Sequence, residues 1–193
     1  MLLIPRGLSL TGPDREPEIT HAAKQEAVAD AGQCIRNFRN VTEWLYRGGQ
    51  PDYNGIKLLK NIGIKTVISL RWNQKIISRE RALVEEAGIA FESIRLNYWT
   101  FPKEGVVARF LSILDDLAKR PTFIHCLHGS DRTGLLIAMY RMSRMGWDAD
   151  AAYKEMRDCG FHRLKMHHFK WAVYDFARQI KRGQHLINKG TES

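Results

Sequence analysis

The sequence has few cysteines and no long apolar segment, and each shortage excludes a class of protein. Three cysteines, Cys34, Cys126 and Cys159, are too few and too scattered for a disulfide scaffold and indicate a reducing compartment. No apolar run approaches the length of a membrane span, and residues 1–5 are too short an apolar start for a signal peptide. We therefore expect a cytoplasmic protein without a transmembrane segment, unless a targeting segment has been lost.

Acidic residues are scarce relative to basic ones. The 193 residues contain 30 lysines and arginines against 21 aspartates and glutamates, which gives a formal net charge of +9. This excess predicts anionic partners, such as phosphorylated ligands, nucleic acid or an acidic membrane surface. An apolar content of 44% is ordinary for a globular protein, and the length favours one domain with a full core.

Short apolar runs alternate with amphipathic segments along most of the chain. The runs at 65–70, 89–94 and 122–124 predict buried strands, and residues 38–47 predict a strand pair with a turn near Thr42. Helices are predicted at 21–31, 52–62, 77–87, 104–119, 133–145, 149–158 and 165–181. This alternation is typical of an α/β fold whose central, mostly parallel sheet is flanked by helices.

The composition also divides the chain into three regions. Residues 1–32 are predicted to be an N-terminal extension that is partly irregular and contains a short helix. Residues 33–183 are predicted to form a single domain, and residues 184–193 a frayed polar tail.

A strand, a loop and a helix at 122–139 carry the candidate chemistry. Cys126 ends the strand, and the loop leads to Arg132 and the start of the helix. A loop ahead of a helix can aim backbone N–H groups and the positive end of the helix dipole at one point. Such a position favours a thiolate at Cys126 and binds phosphate, which the planar guanidinium of Arg132 can also grip. Gly129 allows a sharp turn, and Thr133 can donate its hydroxyl to the thiolate.

A cysteine at the end of a strand is more often a small buried apolar residue, and Cys-x5-Arg alone occurs by chance. The combination here is more specific, because His125 precedes the cysteine, Gly129 lies in the loop and Arg132-Thr133-Gly134 closes it. This combination favours catalysis. The segment 125–134 resembles the signature of the cysteine-dependent protein tyrosine and dual-specificity phosphatases, His-Cys-x5-Arg-Ser/Thr-Gly.

The resemblance extends to residues 37–51, 63–71 and 146–162, which are similar to atypical dual-specificity phosphatases of bacteria, plants and fungi, and it covers roughly residues 37–175. It implies the phosphotyrosine phosphatase fold for 33–183, with Cys126 as the nucleophile and a cysteinyl-phosphate intermediate that water hydrolyses. It also implies that no metal or other cofactor is needed. The residues implied in phosphate binding are Leu127, His128, Gly129, Ser130, Asp131 and Arg132.

The general acid is where the sequence departs from the family. Many relatives supply an aspartate from a loop upstream of the cysteine, but the matching loop, residues 97–103, contains none. Asp131 is one candidate, since myotubularin-like lipid phosphatases have an aspartate at this position; a loop-stabilising hydrogen bond is its alternative role. Glu104 is the other candidate for the general acid. It is equally well explained as a negative charge in the first turn of a helix, where it stabilises the helix dipole. Geometry favours Asp131 over Glu104.

Other residues near the motif have weaker expectations. His125 is predicted to be a buried group that orients the loop, and His128, Arg71 and Lys103 to lie at the pocket rim, where they could contact a second phosphate or simply face solvent. His162, His167 and His168 lack the spacing of a metal site. The basic segment 161–182 is predicted to be either a solvated face or a docking surface for anionic lipid or nucleic acid.

Several substrates fit these features: phosphotyrosine or phosphoserine/threonine in proteins, phosphoinositides and soluble inositol phosphates. The Asp131-Arg132-Thr133 ending and the basic charge favour the inositol compounds. Alternatives are an RNA 5′-triphosphatase, because residues 125–134 also resemble the phosphatase-like domain of RNA capping enzymes, and a phospho-ligand binding module without turnover. A rhodanese-type sulfur transferase also uses a loop cysteine, but it does not need Arg132 and Thr133.

Overall fold

The computed structural model describes residues 20–99, 102 and 104–190. Its strands are β1 Arg39–Asn40, β2 Leu45–Gly48, β3 Thr66–Ser69, β4 Ala90–Ser93 and β5 Thr122–His125. Its α-helices are α1 His21–Cys34, α2 Tyr53–Ile62, α3 Gln74–Glu86, α4 Glu104–Asp115, α5 Asp131–Arg144, α6 Ala149–Asp158 and α7 His167–Gly190, with a short 3-10 helix at Leu117–Lys119.

The strands form one five-stranded sheet in the order β1-β2-β5-β3-β4. Only β1 and β2 are antiparallel; β5 lies in the centre, parallel to both β2 and β3. His125 is in register with Gly48 on one side and Ser69 on the other, so the carboxyl ends of three strands meet at one edge. The predicted α/β fold with a mostly parallel sheet is confirmed.

The two faces of the sheet carry separate apolar cores because side chains alternate along each strand. Leu45, Ile68 and Ile124 face the core shared with α4, α5, α6 and α7. Tyr46, Val67 and Phe123 face the core shared with α1, α2 and α3. Both faces are therefore covered, which explains why the central strands read as continuous apolar runs.

Local signals account for several helix ends. The Asp52 side chain accepts a hydrogen bond from the Gly55 N–H at the start of α2, and Gly63 ends this helix with φ of 87°. Asp148 caps α6 in the same way by accepting from the Ala151 N–H. These boundaries agree with the predictions from the sequence.

Other predicted boundaries were wrong. The predicted helix 104–119 is interrupted, because Asp116 leaves the helix and its side chain caps the 3-10 helix by accepting from the Ala118 N–H. Asp115, which falls inside that predicted helix, is the last residue of α4 and pairs with Arg144 at 2.7 Å.

Four helices also begin or end elsewhere than predicted. Helix α3 starts at Gln74 because Asn73 caps it, and α5 starts at Asp131, two residues before the predicted start, so that Arg132 lies in its first turn. Helix α1 continues through Gly32, and α7 continues past Gly183 to Gly190, into the stretch predicted to be a frayed tail. The division into an extension, a domain and a tail stays a prediction. No helix in the described ranges is long and apolar enough to cross a membrane.

Candidate active site

The loop after β5, residues 126–131, is here called the cysteine loop. Three of its carbonyl groups are bound to the surrounding protein: Leu127 O accepts from the Gln50 N–H at 3.2 Å, Gly129 O from Arg47 Nη2 at 2.8 Å, and Ser130 O from the Gly134 N–H at 2.9 Å. In contrast, the N–H groups of residues 127–130 donate to no acceptor among the described residues. With these three carbonyls bound to the surrounding protein, the loop has a run of free donors after Cys126, as an anion-binding loop requires.

Gly129 makes this arrangement possible. Its φ of +74° lies in the left-handed region, and a Cβ placed there would come within 2.4 Å of the Gly48 carbonyl carbon. The loop thus packs directly on the backbone at the end of β2, where any larger residue would collide. Gly49 allows this close approach from the other side, because a Cβ placed there would lie 3.1 Å from Leu127 O in the cysteine loop.

Arg132 is held in the first turn of α5 with 1% of its surface exposed. Its Nη1 donates to Leu70 O at 2.9 Å and, less directly, to Leu96 O at 3.5 Å, while its guanidinium carbon lies 4.2 Å from the centre of the Tyr98 ring. Its Nε is buried without a hydrogen-bond partner among the described residues. These contacts fix the guanidinium at the carboxyl edge of the sheet and leave a donor for a ligand.

Ser130 precedes α5 but its side chain does not cap the helix, so the first-turn N–H groups receive no side-chain oxygen from it. Cys126 itself has no exposed surface. The Thr133 hydroxyl is buried and has no hydrogen-bond partner among the described residues, so a hydrogen bond from Thr133 to the thiolate stays a prediction.

His125 is fully buried, as expected for a group that supports the loop. Its Nδ1 lies 3.2 Å from Cys126 O, and its Nε2 lies 3.1 Å from Glu80 Oε1, although this second pair is not aligned as a hydrogen bond. Glu80 is also buried and accepts from Ser69 Oγ at 2.7 Å. Burial lowers the pKa of His125, while the Glu80 carboxylate acts in the opposite direction.

Asp131 faces away from solvent and contacts the segment that joins α6 and α7. Its Oδ1 accepts from the His162 N–H at 2.9 Å, and His162 Nδ1 lies 3.0 Å from Oδ2. Asp131 is 2% exposed, whereas the His162 side chain is half exposed. The carboxylate therefore has a clear structural partner, which corresponds to the alternative role considered for it above.

The remaining predicted residues are distributed around the loop. Leu127 is exposed and His128 is half-buried; burial and the Arg36 charge lower the pKa of His128. Arg71 was predicted to lie at the rim but is buried, with 8% of its surface exposed. Glu104 is the first residue of α4, and Lys103 lies outside the described residues.

Sequence reasoning missed Arg47, which supports the cysteine loop from β2. It is 1% exposed, donates to Gly129 O, and has two further guanidinium nitrogens without partners among the described residues. Burial lowers its pKa, and the nearby Cys159, Glu155 and Cys126 oppose this effect. An arginine inside an apolar strand was the available signal, since such a charge is almost never buried without a partner.

A cysteine followed by a loop of free amides, with a buried arginine at the end of the loop and a parallel sheet beneath, is the arrangement of a cysteine-dependent phosphatase. The family model described as "DSP-PTPase phosphatase fused to NAD+ Kinase" matches residues 17–171, and the chain belongs to this family of dual-specificity phosphatases. Within the described residues, no group of three or more histidine, cysteine, aspartate and glutamate side chains could hold a metal ion.

Individual relatives agree with this assignment. The dual specificity protein phosphatase TpbA of Pseudomonas aeruginosa is 35% identical over 156 residues, which cover 79% of this chain and 67% of the relative. The inositol diphosphatase DSP5 of Arabidopsis thaliana is 26% identical over 129 residues, or 64% and 61% of the two chains. A crystal structure of P. aeruginosa TpbA in complex with pTyr is 25% identical and covers 75% of this chain and 90% of its own, with a TM-score of 0.61.

Proposed function

We propose that this phosphatase hydrolyses phosphate monoesters at the cysteine loop, with Cys126 as the nucleophile and phosphotyrosine in proteins as the leading substrate. The observation that carries the proposal is the run of free N–H groups at residues 127–130. These residues lie between Cys126 and the start of α5. A phosphoryl group has three equatorial oxygens, and the loop amides with Arg132 supply donors for all of them.

The reaction follows from this arrangement. The Cys126 sulfur attacks phosphorus as the bond to the leaving oxygen breaks, and that oxygen takes a proton from a general acid. Water then attacks the cysteinyl-phosphate, which releases phosphate and restores the thiolate. Loop amides and Arg132 stabilise the charge on the equatorial oxygens in both steps.

Asp131 remains our candidate for the acid, with Glu104 as the alternative. Asp131 adjoins Arg132 and lies at the edge of the loop, and its bond to His162 offers a route by which the proton could be replaced from solvent. Glu104 begins α4, directly after the loop that supplies the acid in many relatives. The contact with His162 is also what a purely structural role for Asp131 would need, and the leaving-group dependence of Asp131→Asn separates the two roles.

Access to the thiol requires movement, because Cys126 has no exposed surface. The Tyr98 ring, which stacks on Arg132 at 4.2 Å, belongs to the loop after β4 and is the group that a substrate would displace. An aromatic side chain at this position suits the ring of phosphotyrosine.

Comparison with relatives supports phosphotyrosine as the leading substrate, since TpbA, which has been crystallised in complex with pTyr, shares more of its sequence with this chain than DSP5 does. Inositol phosphates are the second candidate. They are favoured by two buried arginines, Arg71 and Arg132, next to the same loop.

The test is phosphate release from p-nitrophenyl phosphate by the wild-type protein and by Cys126→Ser, with EDTA present. Activity in the wild type alone supports thiolate chemistry without a dissociable metal. Equal activity in both proteins would reject Cys126 as the nucleophile. Given activity, a phosphotyrosine peptide should then be a better substrate than a soluble inositol phosphate; the reverse order would favour the second candidate.

A contact between the basic surface of residues 161–182 and anionic lipid or RNA stays a prediction. Arg163, Lys165, Arg178, Lys181 and Arg182 are exposed there, with Asp175 as the acidic exception. Binding to vesicles containing phosphatidylserine, or to single-stranded RNA, should weaken steeply with added salt if the contact exists. Binding that does not respond to salt would reject an electrostatic contact.

A further inference from the structure

Three neighbouring parallel strands each lead into a loop that carries an exposed apolar side chain. Trp72 follows β3, Trp99 follows β4 and Leu127 follows β5, and all three side chains are exposed. Because β4, β3 and β5 are adjacent and parallel, their loops leave the sheet at the same edge. The three side chains therefore lie at the edge of the sheet that also carries Cys126.

A fourth exposed apolar side chain comes from the segment that joins α6 and α7. The His162 N–H donates to Asp131 Oδ1 at 2.9 Å, which fixes this segment beside the start of α5. Leu164 lies two residues further along the chain and is 93% exposed. Single exposed apolar residues are ordinary, but several on loops around one functional site indicate a binding surface. Four side chains are here called the apolar tips: Trp72, Trp99, Leu127 and Leu164.

The segments that carry the apolar tips contain basic residues and no acidic ones. Lys75, Arg163 and Lys165 are exposed there. Asp131, which follows these loop residues in the chain, is buried and bound to His162. No aspartate or glutamate occurs in the four segments concerned, 70–75, 94–99, 126–130 and 161–166. Apolar side chains among positive charges suit an anionic partner that also accepts apolar groups.

We propose that the apolar tips dock this protein on the surface of an anionic phospholipid bilayer, with the cysteine loop facing the lipid headgroups. Tryptophan favours the membrane–water interface, because its ring is apolar and its N–H still bonds to water or headgroups. Lysine and arginine beside the tips stay among the anionic headgroups. The docking does not depend on the chemistry of Cys126; together with the proposed function, it means that the substrate phosphate is presented at a membrane surface.

A bilayer fits the apolar tips better than a folded protein does. The tips come from four separate segments of the chain, and Leu164 and Trp99 are almost entirely exposed. Three cavities formed by the described residues, of about 750, 470 and 380 Å³, are lined by other side chains. A folded partner would need a separate hollow for each tip, whereas a fluid lipid surface accepts all of them at once.

The opposite edge of the sheet supplies a matched control. Leu117, which is 72% exposed, lies in the 3-10 helix before β5, and the exposed Met145 follows the end of α5. Helix α5 starts at the edge that carries Cys126 and runs away from it, so both residues lie at the amino ends of the strands. Leu117→Ala combined with Met145→Ala therefore removes apolar surface from the face directed away from the bilayer.

The experiment measures binding of the full chain to sedimenting vesicles of phosphatidylcholine, with or without phosphatidylserine. The wild type and the control pair should bind the vesicles with phosphatidylserine at least roughly tenfold more tightly than those without it. Trp72→Ala combined with Trp99→Ala should bind them at least roughly tenfold more weakly than the wild type. Brominated phosphatidylcholine should quench the tryptophan fluorescence of the wild type more than that of this tryptophan pair, because bromine quenches rings that enter the bilayer.

Several outcomes would overturn the proposal. If the tryptophan pair binds as tightly as the wild type, basic residues alone carry the contact. If the control pair loses as much binding as the tryptophan pair, the contact is not at the edge that carries Cys126. If the wild type binds neither vesicle, a protein surface is left as the partner of the tips.

Two further arms keep the test decisive. If the tryptophan pair does not fold, Leu164→Ser should weaken vesicle binding at least about threefold, because it removes the most exposed tip; an unchanged affinity would again overturn the proposal. Binding is measured without turnover. A wild type that does not hydrolyse p-nitrophenyl phosphate therefore rejects the proposed function, while the vesicle measurements still decide the docking.

Discussion

The loops after β5 and β4 leave the sheet at the same edge but are held in different ways. In the cysteine loop after β5, Cys126, Gly129, Ser130 and Asp131 are buried, and the carbonyl groups bond to the chain after β2, to Arg47 and to the start of α5. In the loop after β4, Trp99 is 83% exposed and its N–H donates to Asn97 Oδ1 at 2.6 Å.

This difference separates two requirements of phosphoryl transfer. Holding the phosphoryl group needs many donors in fixed positions, and the cysteine loop achieves this through buried backbone geometry that the fold dictates. Giving the leaving group a proton is a separate task, which the backbone of the loop cannot perform and which needs an acidic side chain. The loop after β4 has no aspartate for that task. Four predictions test how far this separation holds.

The largest effect should come from Arg132. Replacing it with methionine removes the buried guanidinium that meets the phosphoryl oxygens, so kcat/KM for p-nitrophenyl phosphate should fall roughly a hundred- to a thousandfold. The control is Arg95→Met, which removes an exposed arginine from the loop after β4; its activity should stay within about threefold of the wild type. Similar losses in both variants would show that the loop after β4 also stabilises the phosphoryl group.

The second prediction concerns the proton. Asp131→Asn should lower turnover of an alkyl phosphate roughly a hundredfold more than turnover of p-nitrophenyl phosphate, because nitrophenolate leaves without a proton. Asparagine keeps an oxygen for the His162 N–H, which preserves the link to the α6–α7 segment. Glu104→Gln is the paired variant, and a stronger leaving-group dependence there would move the acid to the start of α4. Equal losses for both substrates would reject Asp131 as the acid.

The long-range contacts of the cysteine loop explain what the sequence could and could not predict. Strand, loop and helix order, and the positions of Cys126 and Arg132, followed from short-range patterns and from the motif. Caps such as Asp52 and Asp148 were predictable because a side chain bonds three residues ahead.

Contacts between distant segments were not predictable. Arg47 and Gly129 are 82 residues apart, and His162 and Asp131 are 31 apart, so nothing local indicates either contact. The same holds for the burial of Arg71, which depends on β3 lying beside β5. By contrast, the missing aspartate in the loop after β4 was visible in the sequence alone.

The third prediction compares two glycines for stability. Gly129→Ala should lower the free energy of unfolding by at least about 2 kcal/mol, because its Cβ would lie 2.4 Å from the Gly48 carbonyl carbon and φ is +74°. Gly105→Ala, in α4 just after the exposed loop, meets nothing within 4 Å and should raise stability by up to about 1 kcal/mol. Urea denaturation of both variants gives these values; equal effects would contradict the tight packing of the cysteine loop.

The smallest effect should be a pH dependence of stability from His125. Burial lowers its pKa in the folded protein, so below about pH 6.5, the ordinary histidine value, the unfolded chain takes up a proton that the folded chain does not. Stability is therefore lost as pH falls from about 6.5 towards the folded-state pKa, by at most about 1.4 kcal/mol per pH unit.

His125→Gln removes the proton uptake by His125 on unfolding. The free energy of unfolding of this variant should therefore fall less steeply between pH 7 and 5 than that of the wild type, whatever its absolute stability. His21→Asn, at an exposed position in α1, should keep the wild-type slope. If His125→Gln also kept that slope, His125 would take up a proton in the folded protein as easily as an exposed histidine does. The contrast between a fixed, water-excluded loop and its exposed neighbour would then not extend to the residues beneath the cysteine.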